Sequence, residues 1–133
     1  MSDGFSSSKY APAIDPADGT AAISPQEIDT AGYQYAVFVV TLGTIAASGG
    51  STVKVQESAT SGSGFTDVAG TSVAIADDDD NSVKVIAVDL QKRSRYLQMA
   101  GTTPAAATEM AAVCVLTNGI NTSNYASAPD AVV

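Results

Sequence analysis

Four consecutive aspartates, Asp77 to Asp80, stand in the stretch IADDDDNS of a 133-residue chain that has only six basic side chains. Carboxylates in a row are hard oxygen donors, and the chemistry they suggest first is calcium binding. Calcium takes about six to eight oxygens, which a loop must deliver at set spacing. Aligned as an EF-hand loop beginning at Asp77, the first, third and fifth positions are Asp77, Asp79 and Asn81, which fits. The sixth is Ser82 where the loop needs glycine, and the twelfth is Val88 where it needs glutamate. The flanks also read as strands, so the EF-hand assignment fails. A looser calcium site using two of these aspartates and a carbonyl stays open. So does a plainer reading, a solvated turn whose self-repulsion keeps it exposed and guards the next strand against edge pairing.

The second cluster is basic. QKRSRY (91–96) holds Lys92, Arg93 and Arg95, half of the bases in the chain. The aspartates precede the apolar run 82–90 and these bases follow it. At about 3.3 Å per residue the clusters fall roughly 25–30 Å apart, at opposite ends of one strand. That spacing predicts an acidic pole and a basic pole, a layout suited to pairing between chains. The alternative makes Arg93 and Arg95 ordinary strand-end residues with solvated heads.

Catalytic combinations are scarce. The chain has no histidine, which removes the usual general base near neutral pH and the Ser-His and Cys-His nucleophile pairs. Cys114 lies in the apolar run MAAVCVLT and reads as a small buried hydrophobe. GTIAASGGST has glycines but neither the lysine nor the spacing of a phosphate loop. Composition leaves a carboxylate pair for sugar cleavage open, yet the chain has no tryptophan to serve as a sugar platform. We read it as a non-enzyme with no cofactor and no metal.

The elements around these clusters are short apolar runs parted by Gly, Ser, Asn and Asp. TAAISPQEI (20–28) is a weak strand that Pro25 confines to an edge or a break. YAVFVVTLG (35–43) has β-branched and aromatic residues on both faces, so both are expected to be covered. TVKVQES (52–58) alternates, with Val53 and Val55 on one face. FTDVAGTSVAI (65–75) is an irregular strand or two. SVKVIAVDL (82–90) is expected to pair with SRYLQMAG (94–101) through the QKR turn, and TEMAAVCVLTNG (108–119) is the last strand. PAAATEMAA is the one place where a helical turn could hide. Strands at intervals of about ten residues indicate an antiparallel β-sandwich with jelly-roll character. VKVQES and VKVIAV echo one another as similar strands, without a fixed-period repeat.

Residues 1–19 are expected to form an extended N-terminal arm, with Phe5, Tyr10 and Ile14 as spaced anchors on a neighbour. The sandwich then spans 20–119, and a C-terminal tail, 120–133, offers Ile120 and Tyr125. Fourteen acids against six bases give a formal net charge of −8. Nucleic-acid affinity rests largely on Lys and Arg contacts to phosphate, so neither nucleic acid nor an anionic membrane is an expected partner. No apolar run reaches the roughly 18–20 residues that span a bilayer. The single cysteine gives no sign of an oxidising compartment, and the N-terminus lacks the pattern of a signal peptide, so synthesis in a cytoplasm is expected.

The run DTAGYQYAVFVVTLGTIAASGGSTVKVQESATSGSGFTDVAG, continued by VKVIAVDLQKRSRYLQMAGTTPAAATEMAAVCVLTNG, resembles the small β-sandwich cement and decoration proteins of tailed bacteriophages. The matching motifs are the G-Y strand, the TLGTI-like turn, the V-Q-E-S strand, the F-T-D-V segment and the K-R-Y-L strand, between about Asp29 and Gly119. The resemblance implies a virion protein made in a bacterial host and placed on the exterior of the capsid. There it would bridge subunits of the major capsid protein as a homo-oligomer, dimer or trimer. Expected contacts are Phe5, Tyr10, Ile14, Lys92, Arg93, Arg95, Ile120 and Tyr125. The alternatives are a tail, neck or head-fibre component, or a calcium-dependent glycan-binding module.

Overall fold

The computed structural model describes residues 8–17, 20, 22–118 and 131–132. Among the described residues ten strands form, β1 (Lys9–Ala17), β2 (Ile28–Asp29), β3 (Tyr35–Ile45), β4 (Ser51–Ser58), β5 (Thr66–Asp67), β6 (Val73–Ile75), β7 (Val83–Asp89), β8 (Tyr96–Gly101), β9 (Thr108–Thr117) and β10 (Ala131–Val132). They make two sheets. Sheet A has the order β1-β9-β3-β7-β10, and sheet B the order β2-β8-β4-β5, with β6 also on β4. The pairs are antiparallel except β7–β10, which is parallel. The all-β antiparallel sandwich expected from strand spacing is the fold observed.

Its core follows from alternation along the central strands. Phe38, Val40, Ile86, Val88, Cys114 and Leu116 point inward from sheet A. Val53, Val55, Leu97 and Met99 meet them from sheet B. A layer of Val, Ile, Leu and Met suits the roughly 10 Å gap between facing sheets. Cys114 is fully buried, as its apolar surroundings predict, and burial pushes its thiol up to about 12. A thiol held so far from its thiolate is inert.

Several expectations are corrected. The segment expected to be an arm is, from Lys9 to Ala17, an edge strand of sheet A paired with β9. Pro12 and Pro16 cannot donate to a ladder, which suits an edge. Ile14, expected to anchor on a neighbour, is only 2 % exposed and packs in this chain's own core. The run 20–28 contributes only the Ile14–Pro25 bridge and the start of the two-residue β2. Ala131 and Val132, expected in a C-terminal tail outside the sandwich, pair with Ile86 and Ala87. PAAATEMAA runs into strand β9, and among the described residues the one helical turn is a 3-10 turn at Leu90–Lys92.

The pairing of β7 with β8 is also overturned. The two lie in different sheets, and β8 pairs with β4 and β2. Both strands bury an apolar face, and placing them in opposite sheets turns both faces into the core. The chain crosses from sheet A to sheet B between Leu90 and Arg95. Buried Leu90 plugs this end of the sandwich, its N–H donating to the Gln34 carbonyl. The Thr30 N–H then receives the far side of the crossing by donating to the Arg95 carbonyl.

Candidate interaction surface

The aspartate run forms the β6–β7 turn, and three of its four carboxylates accept hydrogen bonds from backbone N–H groups. Asp79 Oδ2 accepts from Ala76 N at 2.7 Å and closes the turn on itself. Asp77 Oδ2 accepts from Ser48 N at 2.9 Å, and Asp80 Oδ2 from Ile45 N at 3.3 Å. Both ties reach the β3–β4 turn next door. Asn81 supplies the left-handed conformation, φ 55°, that the turn needs. The Ala76 N–H, joined by Lys84 at 3.4 Å, holds the Asp79 carboxyl below its ordinary range. Among the described residues no three acidic or cysteine side chains gather where they could hold a metal ion.

The basic cluster does not form a free pole. Arg93 Nη1 lies 2.8 Å from Glu57 Oε2, and Ser94 donates from both its N–H and its hydroxyl to Glu57 Oε1. Arg95 makes a two-pronged contact with Asp29, at 2.9 and 2.8 Å, and its guanidinium stands 5.2 Å from the Tyr96 ring centre. Arg95 holds the Asp29 carboxyl down to about 2, with help from the Ala31 N–H. Lys92 is exposed and has no partner among the described residues. The two clusters do sit at opposite ends of β7. Three of the aspartates and both arginines are answered within the chain, so the free acidic and basic poles expected for pairing between chains are reduced to Asp78 and Lys92. Phe5, Ile120 and Tyr125 lie outside the described residues.

What the fold leaves for a partner is a sheet face. On sheet A, register places Tyr10 beside Val115, Pro12 beside Val113, Val113 beside Val39, and Val39 beside Val85. The adjacent rows add Ala111, Thr41 and Val83 on one side, and Val37 and Ala87 on the other. None of these is charged. Tyr10, Val83 and Val113 are 54 %, 52 % and 46 % exposed. Val37 and Ala87 are buried, and Val39, Val85 and Val115 half-buried. Charge returns at its borders, as Glu109, Asp89 and the exposed Asp15 of β1, which falls opposite Ala111 in the irregular register between Ile14 and Ala17. Glu109 lies across Gly43, where a Cβ would meet its Oε2 at 2.6 Å, and accepts from Thr44 N.

The outer face of sheet B is the opposite in character. Lys54 Nζ pairs with Asp67 at 2.9 Å, Gln56 donates to the same carboxylate, and Gln98 donates to Gln56. These bonds form a polar ladder across β8, β4 and β5, and those from Gln56 and Lys54 hold the Asp67 carboxyl below its ordinary range. The second face of β3, expected to be covered, is therefore only partly covered.

Of the expected contact residues that are described, Tyr10 alone lies on the apolar face. Val83, Val113 and Val115 were not anticipated. The signal for them lies in AVCVL and VKVIAV, where apolar residues occupy both strand faces although only one can point into a two-layer core. No protein-family model and no curated protein matches the chain. Among the described residues no helix is long and apolar enough to cross a membrane.

Proposed function

We propose that the chain is a non-enzymatic structural protein of a bacteriophage particle, a cement protein that binds the outer surface of the head shell. The observation that carries this reading is the difference between the outer faces of the two sheets. A charge-free apolar face on a chain of net charge −8 is a surface for another protein, because contiguous exposed apolar patches mark interaction sites. The polar ladder of sheet B suits the solvent side. The resemblance of the strand motifs to phage cement proteins supplies the partner class, the major capsid protein.

The action is mechanical. A protein that binds the mature shell better than any competing state stabilises it by mass action. Repetition over many equivalent sites multiplies a weak contact into a lasting one. The carboxylates bonded to turn N–H groups fit this role, since they stiffen loops that would otherwise lose entropy on binding.

Particles banded on a density gradient provide the test, with this chain quantified by mass spectrometry against the major capsid protein. About one copy per capsid subunit is the expected result, within a few-fold. A handful of copies per particle would move the chain to the tail or neck. Absence from particles would sink the reading, and a gain in thermal stability on adding calcium would then favour the glycan-binding alternative.

A further inference from the structure

Burial on the outer face of sheet A is uneven in a way that the two sheets alone do not explain. Toward one end, Val113 and Val83 are about half exposed, and Thr41 is exposed. Toward the other, Val37, Ala87 and Thr117 are only 7 %, 3 % and 8 % exposed, although register and alternation put them on the same face. The described elements make two layers and no third. We infer that the cover is this chain's own residues 119–130, which cross the outer face of sheet A from the end of β9 to the start of β10. The part of the face around Val113 and Val83 is then what a partner can reach. That consequence rests on the proposed function, whereas the cover itself does not.

Strand direction carries the argument. β7 and β9 both run antiparallel to β3, and β10 runs parallel to β7. β9 and β10 are therefore parallel, with β3 and β7 between them. Parallel strands of one sheet are joined by a crossover of about a dozen residues or more, and 118–130 has that length. A crossover passes over one face of its sheet. The inner face is filled, since Phe38, Ile86 and Leu116 are fully buried there in the core between the sheets. The outer face is left.

Register supplies the path. Tyr35 stands opposite both Thr117 and Asp89, so β9 ends level with Asp89, whereas β10 starts opposite Ile86. The two points lie three strand spacings of ~4.8 Å apart across the sheet and ~10 Å apart along it, or roughly 18 Å in all. An extended chain of this length spans about 43 Å, which leaves ample slack. The straight line between the two points passes beside Val37 on β3 and over Ala87 on β7, the residues found buried.

The chemistry of the segment suits the surface. GINTSNYASAPD (119–130) carries one charge, Asp130, at its β10 end. It therefore brings almost no charge onto an apolar face, where burying one would be costly. Its two large apolar side chains, Ile120 and Tyr125, supply the cover. Residues 1–7 are the competing source, but they join the sheet at β1, three strands from Ala87. Residues 119–130 are tied on both sides of the buried positions.

Thiol labelling of the full chain under native conditions tests the inference. Val37→Cys and Ala87→Cys should react at least ~10-fold more slowly than Val113→Cys, because a thiol must be exposed to react. Cys114, inside the core, reports global opening, and its rate is subtracted. Replacing Ile120 and Tyr125 together by Ser should bring the two slow sites close to the Val113→Cys rate. Phe5→Ser, in the competing segment, should leave every rate as it was.

Val37→Cys reacting as fast as Val113→Cys in the otherwise unchanged chain overturns the inference. So does a Val37→Cys site that stays slow without Ile120 and Tyr125, or that opens with Phe5→Ser. The labelling uses the isolated chain, so its outcome is separate from the count of copies in particles. A covered Val37 in a chain missing from particles keeps this inference and removes the proposed function. A freely labelled Val37 in a chain abundant in particles does the reverse.

Discussion

The two ends of β7 carry charge clusters of opposite sign, and they use charge in different ways. At the start of the strand, three aspartates accept hydrogen bonds from the backbone of their own turn and the turn beside it. At the far end, Arg93 and Arg95 reach carboxylates on β4 and β2, strands of the other sheet. The acidic end shapes a loop. The basic end ties the crossing segment to β4 and β2 of sheet B at the point where the chain enters that sheet. A run of like charge in sequence is therefore no guide to a free charged surface, because backbone N–H groups answer carboxylates without any basic residue nearby.

The sharpest way to break this contrast is at Glu57. Its two oxygens serve Arg93 Nη1, Ser94 N and Ser94 Oγ, and both partners of the ion pair are largely shielded from solvent. Glu57→Ala removes three hydrogen bonds and leaves a guanidinium and an N–H without acceptors. Stability should fall by roughly 3 kcal/mol, the scale of a broken, mostly buried charge pair. Urea denaturation at neutral pH measures it, and Glu57→Gln should recover part of the loss by keeping one acceptor oxygen. A loss below ~1 kcal/mol would mean that the crossing is held by Leu90 and the neighbouring strands, not by this tie.

The acidic end should respond less. Asp79→Ala removes the side-chain acceptor for Ala76 N and the weak tie to Lys84, a loss of about 1 kcal/mol, comparable to a helix cap. Asp78 is exposed, and Asp78→Ala should change stability by less than ~0.5 kcal/mol. Equal effects at Asp78 and Asp79 in the same denaturation assay would show that the run acts through summed charge. Unequal effects would confirm that individual hydrogen bonds carry it.

Much of this architecture is legible in the sequence and some is not, for physical reasons. Alternation in TVKVQES and the apolar β3 and β9 runs reveal strands, because side-chain period is local. Sheet membership is not local. SRYLQMAG follows SVKVIAVDL closely enough to suggest a hairpin, yet SVKVIAVDL ends in Leu90, whose burial carries the chain across the core instead. The reach of Arg93 and Arg95 is likewise hidden, since Glu57 and Asp29 stand 36 and 66 positions from their partners. KYAPAIDPA looks like linker because its prolines and polar residues mask the one feature that seats it, buried Ala13 and Ile14. The outer face of sheet A could have been suspected from AVCVL. Its continuity could not, since it is assembled from four strands that only the register brings side by side.

Acid separates the two ends most finely, with the smallest effect. Arg95 holds the Asp29 carboxyl down to about 2 from an ordinary 3.8. A carboxyl whose folded pKa is depressed adds stability that is complete above its unfolded value and disappears as pH falls through the folded one. The Asp29 contribution is therefore present above about pH 4 and lost between about 4 and 2. Asp79 at the other end, and Asp67 on sheet B, are lowered in the same direction and add to the same acid limb. Screening tells them apart. The Asp29–Arg95 pair is about half exposed, so molar salt should weaken it. Asp79 is held first by a short bond to a backbone N–H, which salt barely touches. Melting temperature followed from pH 5 down to about pH 2 should drop for the parent chain. Asp29→Asn should flatten that drop at low salt and hardly alter it at high salt, whereas Asp79→Asn should flatten it equally at both. An Asp29→Asn curve with the same slope as the parent at low salt would mean that the exposed pair contributes nothing, and that the tie rests on Glu57 alone.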